Sequence, residues 1–164
     1  MEQRSSFVTV DAFKGIPVKA AYTTRQNGKS EGDFSSFNLG LHVGDEPLCV
    51  LQNRLLLEKH FSKKIVFMNQ THSDKVVLVD ENDACKSEEM LLEQVPLSLG
   101  VEADGIVSSD KSIALAVLTA DCLPLLMTTG DGCVVSAVHC GWKGVYSNII
   151  KNAVELIRKL NQSE

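Results

Sequence analysis

The sequence has few aromatic side chains, few histidines and no excess of positive charge. Aromatic residues make up 5% of the 164 residues, the histidines number four, and the formal net charge is −5. Surfaces that bind nucleic acid or anionic membranes in general carry a basic face. The composition therefore argues against both kinds of partner.

Long apolar runs are also missing, and so is an export signal. No segment is apolar over the length needed to span a bilayer, and Met1–Val10 lacks the charged and apolar regions of a leader peptide. We therefore expect a cytoplasmic protein. A chain of 164 residues fits one domain with one sizeable core.

The five cysteines are an odd number, and no two of them form a C-x-x-C pair. Without an export signal, disulfides are rare and thiols stay reduced. Cys49, Cys85 and Cys133 are interpreted as small buried hydrophobic residues. Cys122 needs a separate interpretation because of its neighbours.

The stretch from Ile113 to Gly144 combines apolar runs with reactive side chains. Its composition predicts two neighbouring buried strands, Ile113–Ala120 and Cys133–Val138, separated by a turn rich in Gly and Asp. The first strand leads into Asp121 and Cys122, and the second leads into His139. Strand ends hold side chains still, so we expect chemistry at this point.

Two helices frame this stretch in the sequence pattern. Pro47–Phe61 is predicted to be a helix with Asp45 as its N-cap, and Asn148–Leu160 is predicted to be a second helix that Ser147 caps. The apolar face of the first helix comprises Leu48, Leu51, Leu55 and Leu56, and its water-facing side comprises Arg54, Glu58 and Lys59. The acidic segment Glu81–Gly100 is predicted to be exposed, with a short helix at Ser87–Gln94.

Cys122, His139 and His72 together suggest a metal site. A thiolate and two imidazoles form a three-ligand zinc site that leaves one position open for water or substrate. The spacing is not diagnostic, because no two of these ligands are close in sequence. Cys140 is not expected as a fourth ligand, since neighbouring strand residues point to opposite faces. Asp121 could transfer protons beside the metal or cap a turn.

Six segments of the chain resemble motifs of one known family. The segments are Thr23–Arg25, Asn38–Asp45, Asn69–Val76, Ala103–Val107, Leu118–Pro124 and Ala137–Gly144. They closely resemble the YfiH-like family, also called laccase-domain or polyphenol oxidase proteins. Its members are described as zinc-dependent purine nucleoside phosphorylases with adenosine deaminase side activity.

The resemblance implies a set of site residues. His72, Cys122 and His139 become the zinc ligands, while Asp121 works beside them as a catalytic residue together with Cys122. Arg25, which by itself looks like a solvated loop residue, becomes a catalytic and substrate-binding residue. Asn38 is a further substrate-binding candidate, and a purine nucleoside and phosphate are the expected partners.

The resemblance also implies the fold. We expect an α+β fold of mixed β-sheets sandwiched with helices, in a single domain over residues 1–164. Family members continue beyond the helix that ends near Leu160, so we expect the chain to lack the C-terminal strands of the family. The Glu81–Gly100 segment is longer than the family norm, which suggests that it folds over or beside the pocket.

Three other functions stay open at this point. Two imidazoles and a thiolate also suit a copper centre, and thus a copper-dependent phenol oxidoreductase. Four histidines are too few for a trinuclear copper cluster within this chain. Cys122 and His139 could form the nucleophile and base of a metal-free hydrolase. A non-catalytic binding module is the third possibility.

Overall fold

A computed structural model describes residues 5–161 of the chain. Residues 1–4, with which the Met1–Val10 segment expected to lack a leader peptide begins, and residues 162–164 lie outside the described part. The described residues divide into two compact units. The first comprises residues 5–62 and 86–97, and the second comprises residues 63–85 and 98–161.

Ten strands and four α-helices are found within residues 5–161. The strands are β1 (Phe7–Thr9), β2 (Ala21–Thr23), β3 (Lys64–Val66), β4 (Met68–Asn69), β5 (Val76–Leu78), β6 (Val101–Glu102), β7 (Gly105–Ser108), β8 (Ile113–Leu115), β9 (Leu123–Thr128) and β10 (Val135–Cys140). The helices are α1 (Pro47–Phe61), α2 (Ser87–Leu91), α3 (Trp142–Tyr146) and α4 (Ile149–Asn161). This mixture of helices with parallel and antiparallel strand pairs confirms the predicted fold class.

The first unit is built on α1, which has the predicted bounds. Pro47 occupies the first turn of the helix, where a missing N–H is tolerated. Strands β1 and β2 form an antiparallel pair in the same unit, and α2 lies against α1. Apolar residues of α1 buried here are Val50, Leu51 and Leu57.

Two polar residues of α1 are buried, although the sequence pattern predicted that they face water. Arg54 and Glu58 were expected to face water, but they are 1% and 8% exposed. The Arg54 Nε donates to the Leu39 carbonyl at 3.0 Å, and the Ser87 hydroxyl donates to the Glu58 carboxylate at 3.1 Å. Burial is tolerated because both charged groups find hydrogen-bond partners.

Asp45 is not the N-cap of α1. Glu46 occupies that position, and it makes no capping hydrogen bond with its side chain. The Asp45 carboxylate instead accepts from the Asn38 amide at 2.9 Å and from the Glu46 N–H at 2.8 Å. It therefore braces the loop that precedes the helix.

The segment Glu81–Gly100 is less exposed than predicted. Ser87 and Met90 are buried at 0% and 4% exposure, and Cys85 is also buried. Its helix is α2, which ends at Leu91 rather than Gln94. The segment is thus anchored by small and apolar side chains within an acidic sequence.

The second unit contains a four-stranded sheet in the order β5-β7-β10-β9. Strands β5 and β7 are parallel, and the other two neighbouring pairs are antiparallel. Alternate residues of β10 point to opposite faces: Ala137 packs into one apolar cluster, whereas Val138 and Cys140 pack with Ile149 of α4. The smaller pairs β3-β8 and β4-β6 are parallel.

The strands around Cys122 differ from the prediction. Strand β8 ends at Leu115 and pairs with β3, so Ile113–Ala120 is not a continuous strand and does not form a hydrogen-bonded pair with β10. The partner of β10 in the hairpin is β9, which begins directly after Cys122. The physical reason lies at Leu118, whose backbone N–H and C=O are bonded to the Gln70 side chain instead of another strand.

The C-terminal helix was predicted to within one residue at each end. The observed helix α4 spans Ile149–Asn161, and its helical stripe places Ile149 and Ala153 at 0% exposure. The short helix α3 was not predicted. Ser147 is the C-cap of α3 rather than the N-cap of α4.

Candidate metal centre

Three side chains of the second unit bring their possible ligand atoms together. The donor atoms of His72, Cys122 and His139 lie within 4.8 Å of one another. The Cys122 Sγ is 3.8 Å from the His72 Nε2, and the two imidazole rings are 4.8 Å apart at an angle of 81°. Within residues 5–161, this is the one group of three or more potential metal ligands. The chain segments that hold them are far apart in sequence.

The three residues differ in exposure and in backbone support. His72 lies in the loop between β4 and β5 and is exposed, whereas His139 lies inside β10 and is 4% exposed. Cys122 is half-buried in the turn before β9. A rigid strand therefore supports one ligand, and two connecting segments present the others.

Gln70 attaches the Cys122 segment to the His72 loop. Its amide nitrogen donates to the Leu118 carbonyl and its amide oxygen accepts from the Leu118 N–H, both at 2.8 Å. Within the same segment, the Thr119 hydroxyl donates to the Cys122 carbonyl. These hydrogen bonds fix the turn that presents the thiol, because they satisfy backbone groups that no strand partner satisfies.

His139 is oriented by a buried carboxylate. Its Nδ1 lies 2.8 Å from the Asp104 Oδ1, and Asp104 is 0% exposed. A carboxylate accepts from this nitrogen, so in the neutral imidazole Nδ1 carries the proton and the lone pair of Nε2 is available to a metal. Burial raises the pKa of Asp104, but hydrogen bonds from Ser73, His139 and the Thr71 and Ser73 backbone outweigh burial and lower that pKa below its ordinary value.

Two glycines allow close packing at the histidines. A Cβ on Gly141 would lie 2.8 Å from the His72 Cδ2 and 3.4 Å from the His139 Cε1. A Cβ on Gly144 would lie 2.6 Å from the Ser73 carbonyl oxygen. The backbone around the start of α3 can therefore approach the His72 loop only because these positions carry no side chain.

The other predicted site residues are placed as follows. Asp121 precedes Cys122 and is exposed. Arg25 and Asn38 belong to the first unit. The Arg25 Nε donates to the Ser35 carbonyl at 2.6 Å, and the Asn38 amide donates to Asp45. The structure thus shows both side chains holding loops of their own unit.

The sequence interpretation missed Asp104 and Gln70 as site residues. Both occur in segments that resemble family motifs, but neither was assigned a role. A signal for Asp104 is available in the sequence: a carboxylate separated only by Gly105 from the apolar residues Ile106 and Val107 is expected to be buried and therefore to need partners.

The family described as "multi-copper polyphenol oxidoreductase laccase" matches residues 19–164. The chain belongs to this family. Laccase-domain membership agrees with the YfiH-like resemblance of the six sequence segments, and a solved structure of YfiH from Bacillus licheniformis matches with a TM-score of 0.74 at 27% identity, covering 92% of this chain and 55% of that one.

Relatives of this laccase-domain chain carry the name purine nucleoside phosphorylase. The protein of that name from Corynebacterium glutamicum is 37% identical over 148 residues, covering 88% of this chain and 55% of the relative. The solved structure of a Neisseria meningitidis protein matches with a TM-score of 0.76 at 34% identity, covering 93% of this chain and 57% of that one. The chain spans about half the length of the curated relatives it matches.

Within residues 5–161, no helix combines the length and the apolar character that a bilayer span requires.

The donor set fits a catalytic rather than a closed structural metal site. Two imidazoles and one thiolate provide three ligands, and zinc sites with three protein ligands keep a position open for chemistry. Cys140 does not complete the set, because it points with Val138 into the apolar cluster against α4. Burial raises the pKa of the Cys140 thiol. The group can therefore hold a metal ion with an open coordination position.

Proposed function

We propose that this chain carries the metal centre of a zinc-dependent purine nucleoside phosphorylase. The reaction converts adenosine, inosine or guanosine and phosphate to the purine base and ribose 1-phosphate. The observation that carries the proposal is the convergence of His72, Cys122 and His139, whose donor atoms lie within 4.8 Å. The name shared by the relatives from Corynebacterium glutamicum and Bacillus subtilis supports this reaction class. Deamination of adenosine to inosine is proposed as a second activity of the same centre.

Zinc is the proposed metal because the donor set matches its preferences. Thiolate and imidazole ligands with an open position are typical of catalytic zinc. When bound, the ion would supply a Lewis acid that stabilises negative charge on a reacting oxygen. His72 and His139 would supply two of its ligands, and Cys122 would supply the third as a thiolate.

Asp121 is the residue to which we assign proton transfer in phosphorolysis. A phosphate oxygen forms a bond to C1′ of the ribose while the bond from C1′ to the base nitrogen breaks, and the base keeps the electron pair. The leaving base becomes a better leaving group when it is protonated. Asp121, next to Cys122 and exposed to incoming molecules, is proposed to transfer that proton.

Arg25 and Asn38 remain predictions as substrate-binding residues. A guanidinium binds phosphate oxygens in a bidentate way, and an amide can bind a ribose hydroxyl or a base edge. Substrate binding would require Arg25 to exchange its hydrogen bonds to the Ser35 and Asp33 carbonyls for phosphate oxygens. The cytoplasmic location and the absence of nucleic-acid and membrane partners also remain predictions.

The test combines metal analysis with product identification. Purified protein is analysed for bound zinc and copper, then incubated with inosine or adenosine and phosphate, and the base, ribose 1-phosphate and inosine are separated by chromatography. We expect about one zinc per chain, phosphate-dependent release of base, and loss of both zinc and turnover in Cys122→Ala. Cys49→Ala, which removes a thiol from the other unit, should keep both.

Each alternative function gives a different result. Stoichiometric copper with an intense blue colour and phenol oxidation would replace the proposal with a copper oxidoreductase. Turnover that persists in the presence of a chelator would indicate a metal-free thiol enzyme. Nucleoside binding without turnover, in zinc-loaded wild-type protein, would indicate a binding module.

A further inference from the structure

We propose that Asp104 is the positioning residue for both histidines of the His72, Cys122 and His139 group. This inference rests on the proposed metal-dependent function. Asp104 directly precedes β7 and is 0% exposed. Its Oδ1 atom contacts both histidines, and its Oδ2 atom contacts the residues on either side of His72.

The Oδ1 atom of Asp104 contacts both histidines. It accepts from the His139 Nδ1 at 2.8 Å and from the His72 backbone N–H at 3.0 Å. The first bond fixes the ring orientation of His139 and, in the neutral ring, favours the Nδ1–H tautomer. The backbone supports the same arrangement, because the His139 N–H donates to the Asp104 carbonyl at 2.7 Å.

The Oδ2 atom holds the loop on either side of His72. It accepts from the Thr71 N–H at 3.2 Å, from the Ser73 N–H at 2.7 Å and from the Ser73 hydroxyl at 2.7 Å. Three consecutive backbone N–H groups, from Thr71 to Ser73, thus converge on one carboxylate. Such a concave set of N–H groups is a typical binding geometry for an anion.

The hydrogen bonds from the Thr71–Ser73 backbone to Asp104 explain an unfavourable backbone conformation at His72. Its φ angle is +63°, in the left-handed region that residues with a Cβ seldom adopt. A residue stays in such a conformation only when its surroundings impose it. The carboxylate of Asp104 imposes it here, and the His72 side chain is thereby directed to the Cys122 thiol at 3.8 Å.

A carboxylate is required at position 104 because both oxygens must accept. An asparagine offers one acceptor oxygen, and its NH₂ group would face either the N–H groups of the His72 loop or the Nδ1–H of His139. Either orientation weakens the hold on one histidine. Asp104→Asn therefore separates positioning from simple filling of space, since the two side chains have nearly the same size.

The experiment measures zinc affinity and histidine tautomer separately. Zinc binding is measured by competition with a chromophoric chelator, and the tautomer of His139 is read from ¹⁵N chemical shifts in metal-free protein. We expect the Nδ1–H tautomer in the wild type. Asp104→Asn should weaken zinc binding about 10- to 100-fold and increase the Nε2–H fraction of His139 or alter the His72 loop signals.

Ser73→Ala provides a milder variant, and Asp74→Asn is the matched control. Loss of the Ser73 hydroxyl removes one hydrogen bond to Oδ2, so zinc affinity should fall about threefold while the His139 tautomer stays as in the wild type. Asp74 is exposed in the same loop, and its amide variant should behave as the wild type. This pair of variants keeps the proposal testable even when Asp104→Asn does not fold.

Three results would overturn the proposal. They are an Nε2–H tautomer in the wild-type protein, wild-type zinc affinity in folded Asp104→Asn, and wild-type zinc affinity in Ser73→Ala. Failure of the proposed function looks different, because a protein with the expected tautomer and zinc affinities but no nucleoside turnover retains the role of Asp104 and loses only the reaction.

Discussion

The two units each use a buried polar side chain to hold a loop, but the two side chains differ in kind. In the first unit, Asn53 of α1 accepts from the Lys29 N–H at 2.7 Å and donates to the Ser30 hydroxyl and to the Ser36 and Asn38 carbonyls. In the second unit, Asp104 only accepts. The amide holds a loop of mixed donors and acceptors, whereas the carboxylate gathers donors alone.

This difference shows how a structural device acquires a chemical role. An amide side chain with all its hydrogen bonds formed carries no net charge, so it exerts no charge–charge interaction on its neighbours. A carboxylate with the same degree of burial carries a charge that can orient an imidazole and increase its basicity as a ligand. The comparison predicts that damage at Asn53 appears in stability, and that damage around Asp104 appears in metal binding.

The largest effect is expected for Asn53→Ala. The substitution removes the Asn53 hydrogen bonds to the Lys29 N–H, the Ser30 hydroxyl and the Ser36 and Asn38 carbonyls, which should lower the free energy of unfolding by about 2 to 4 kcal/mol. Urea denaturation measures this loss, with the exposed neighbour Gln52→Ala as control. The comparison would be wrong if folded Asn53→Ala kept wild-type stability and lost zinc affinity.

Gly141→Ala should weaken zinc binding about 10- to 30-fold. The added Cβ would meet the His72 ring at 2.8 Å, so the ring must move away from the thiol. Competition with a chelator measures the affinity, and Gly130→Ala is the control because a Cβ there meets nothing within 4 Å. Equal affinities of the two variants would show that the ring tolerates the displacement.

A smaller effect is expected for Gln70→Leu. The substitution removes both hydrogen bonds to Leu118 and frees the segment that presents Cys122. Zinc affinity should fall about 3- to 10-fold, while the His139 tautomer stays unchanged because Asp104 is untouched. Gln94→Leu, at an exposed position of the first unit, is the control. A changed tautomer in Gln70→Leu would contradict the separate roles assigned to Gln70 and Asp104.

The smallest effect concerns Asp45 and pH. Burial raises the pKa of Asp45, but hydrogen bonds from Ser30, Asn38 and the Glu46 backbone outweigh burial and lower that pKa. The stabilisation is therefore present above the unfolded-state pKa of about 3.9 and is lost as the pH falls through the lower folded-state pKa.

Urea midpoints between pH 7 and pH 3 provide the measurement for Asp45. Asp45→Asn should be less stable than the wild type near neutral pH, and the difference should narrow in acid. Asp11→Asn, at an exposed position, is the control. A difference that stays constant over this range would exclude an electrostatic contribution from Asp45.

Sequence patterns predicted the parts of the fold that local physics determines. Helix α1 has the predicted bounds because Pro47 favours a first turn, and α4 was found because its apolar residues recur with the helical period. The predicted extent of strand β8 was wrong. The backbone of Leu118 forms its hydrogen bonds with the side chain of Gln70, which lies 48 residues away in the sequence.

For the candidate site, the sequence predicted the three residues whose donor atoms converge, but not the residues that hydrogen-bond to them. The convergence of His72, Cys122 and His139 followed from residue chemistry and family resemblance. Asp104 escaped notice because its partners are mainly backbone N–H groups and one ring nitrogen, distant in sequence. Residue types do not reveal such partners, so buried polar residues such as Arg54 were also misplaced.

The two imidazoles of the candidate metal centre differ in exposure, so the centre has one side that faces solvent and one side that is buried. With the His139 ring sealed at 4% exposure and the His72 ring open to solvent, reagents arriving from the bulk meet His72 first. An acylating reagent such as diethyl pyrocarbonate should consequently label the outer imidazole rapidly and spare the inner one, so that the front and back of the centre become chemically distinguishable.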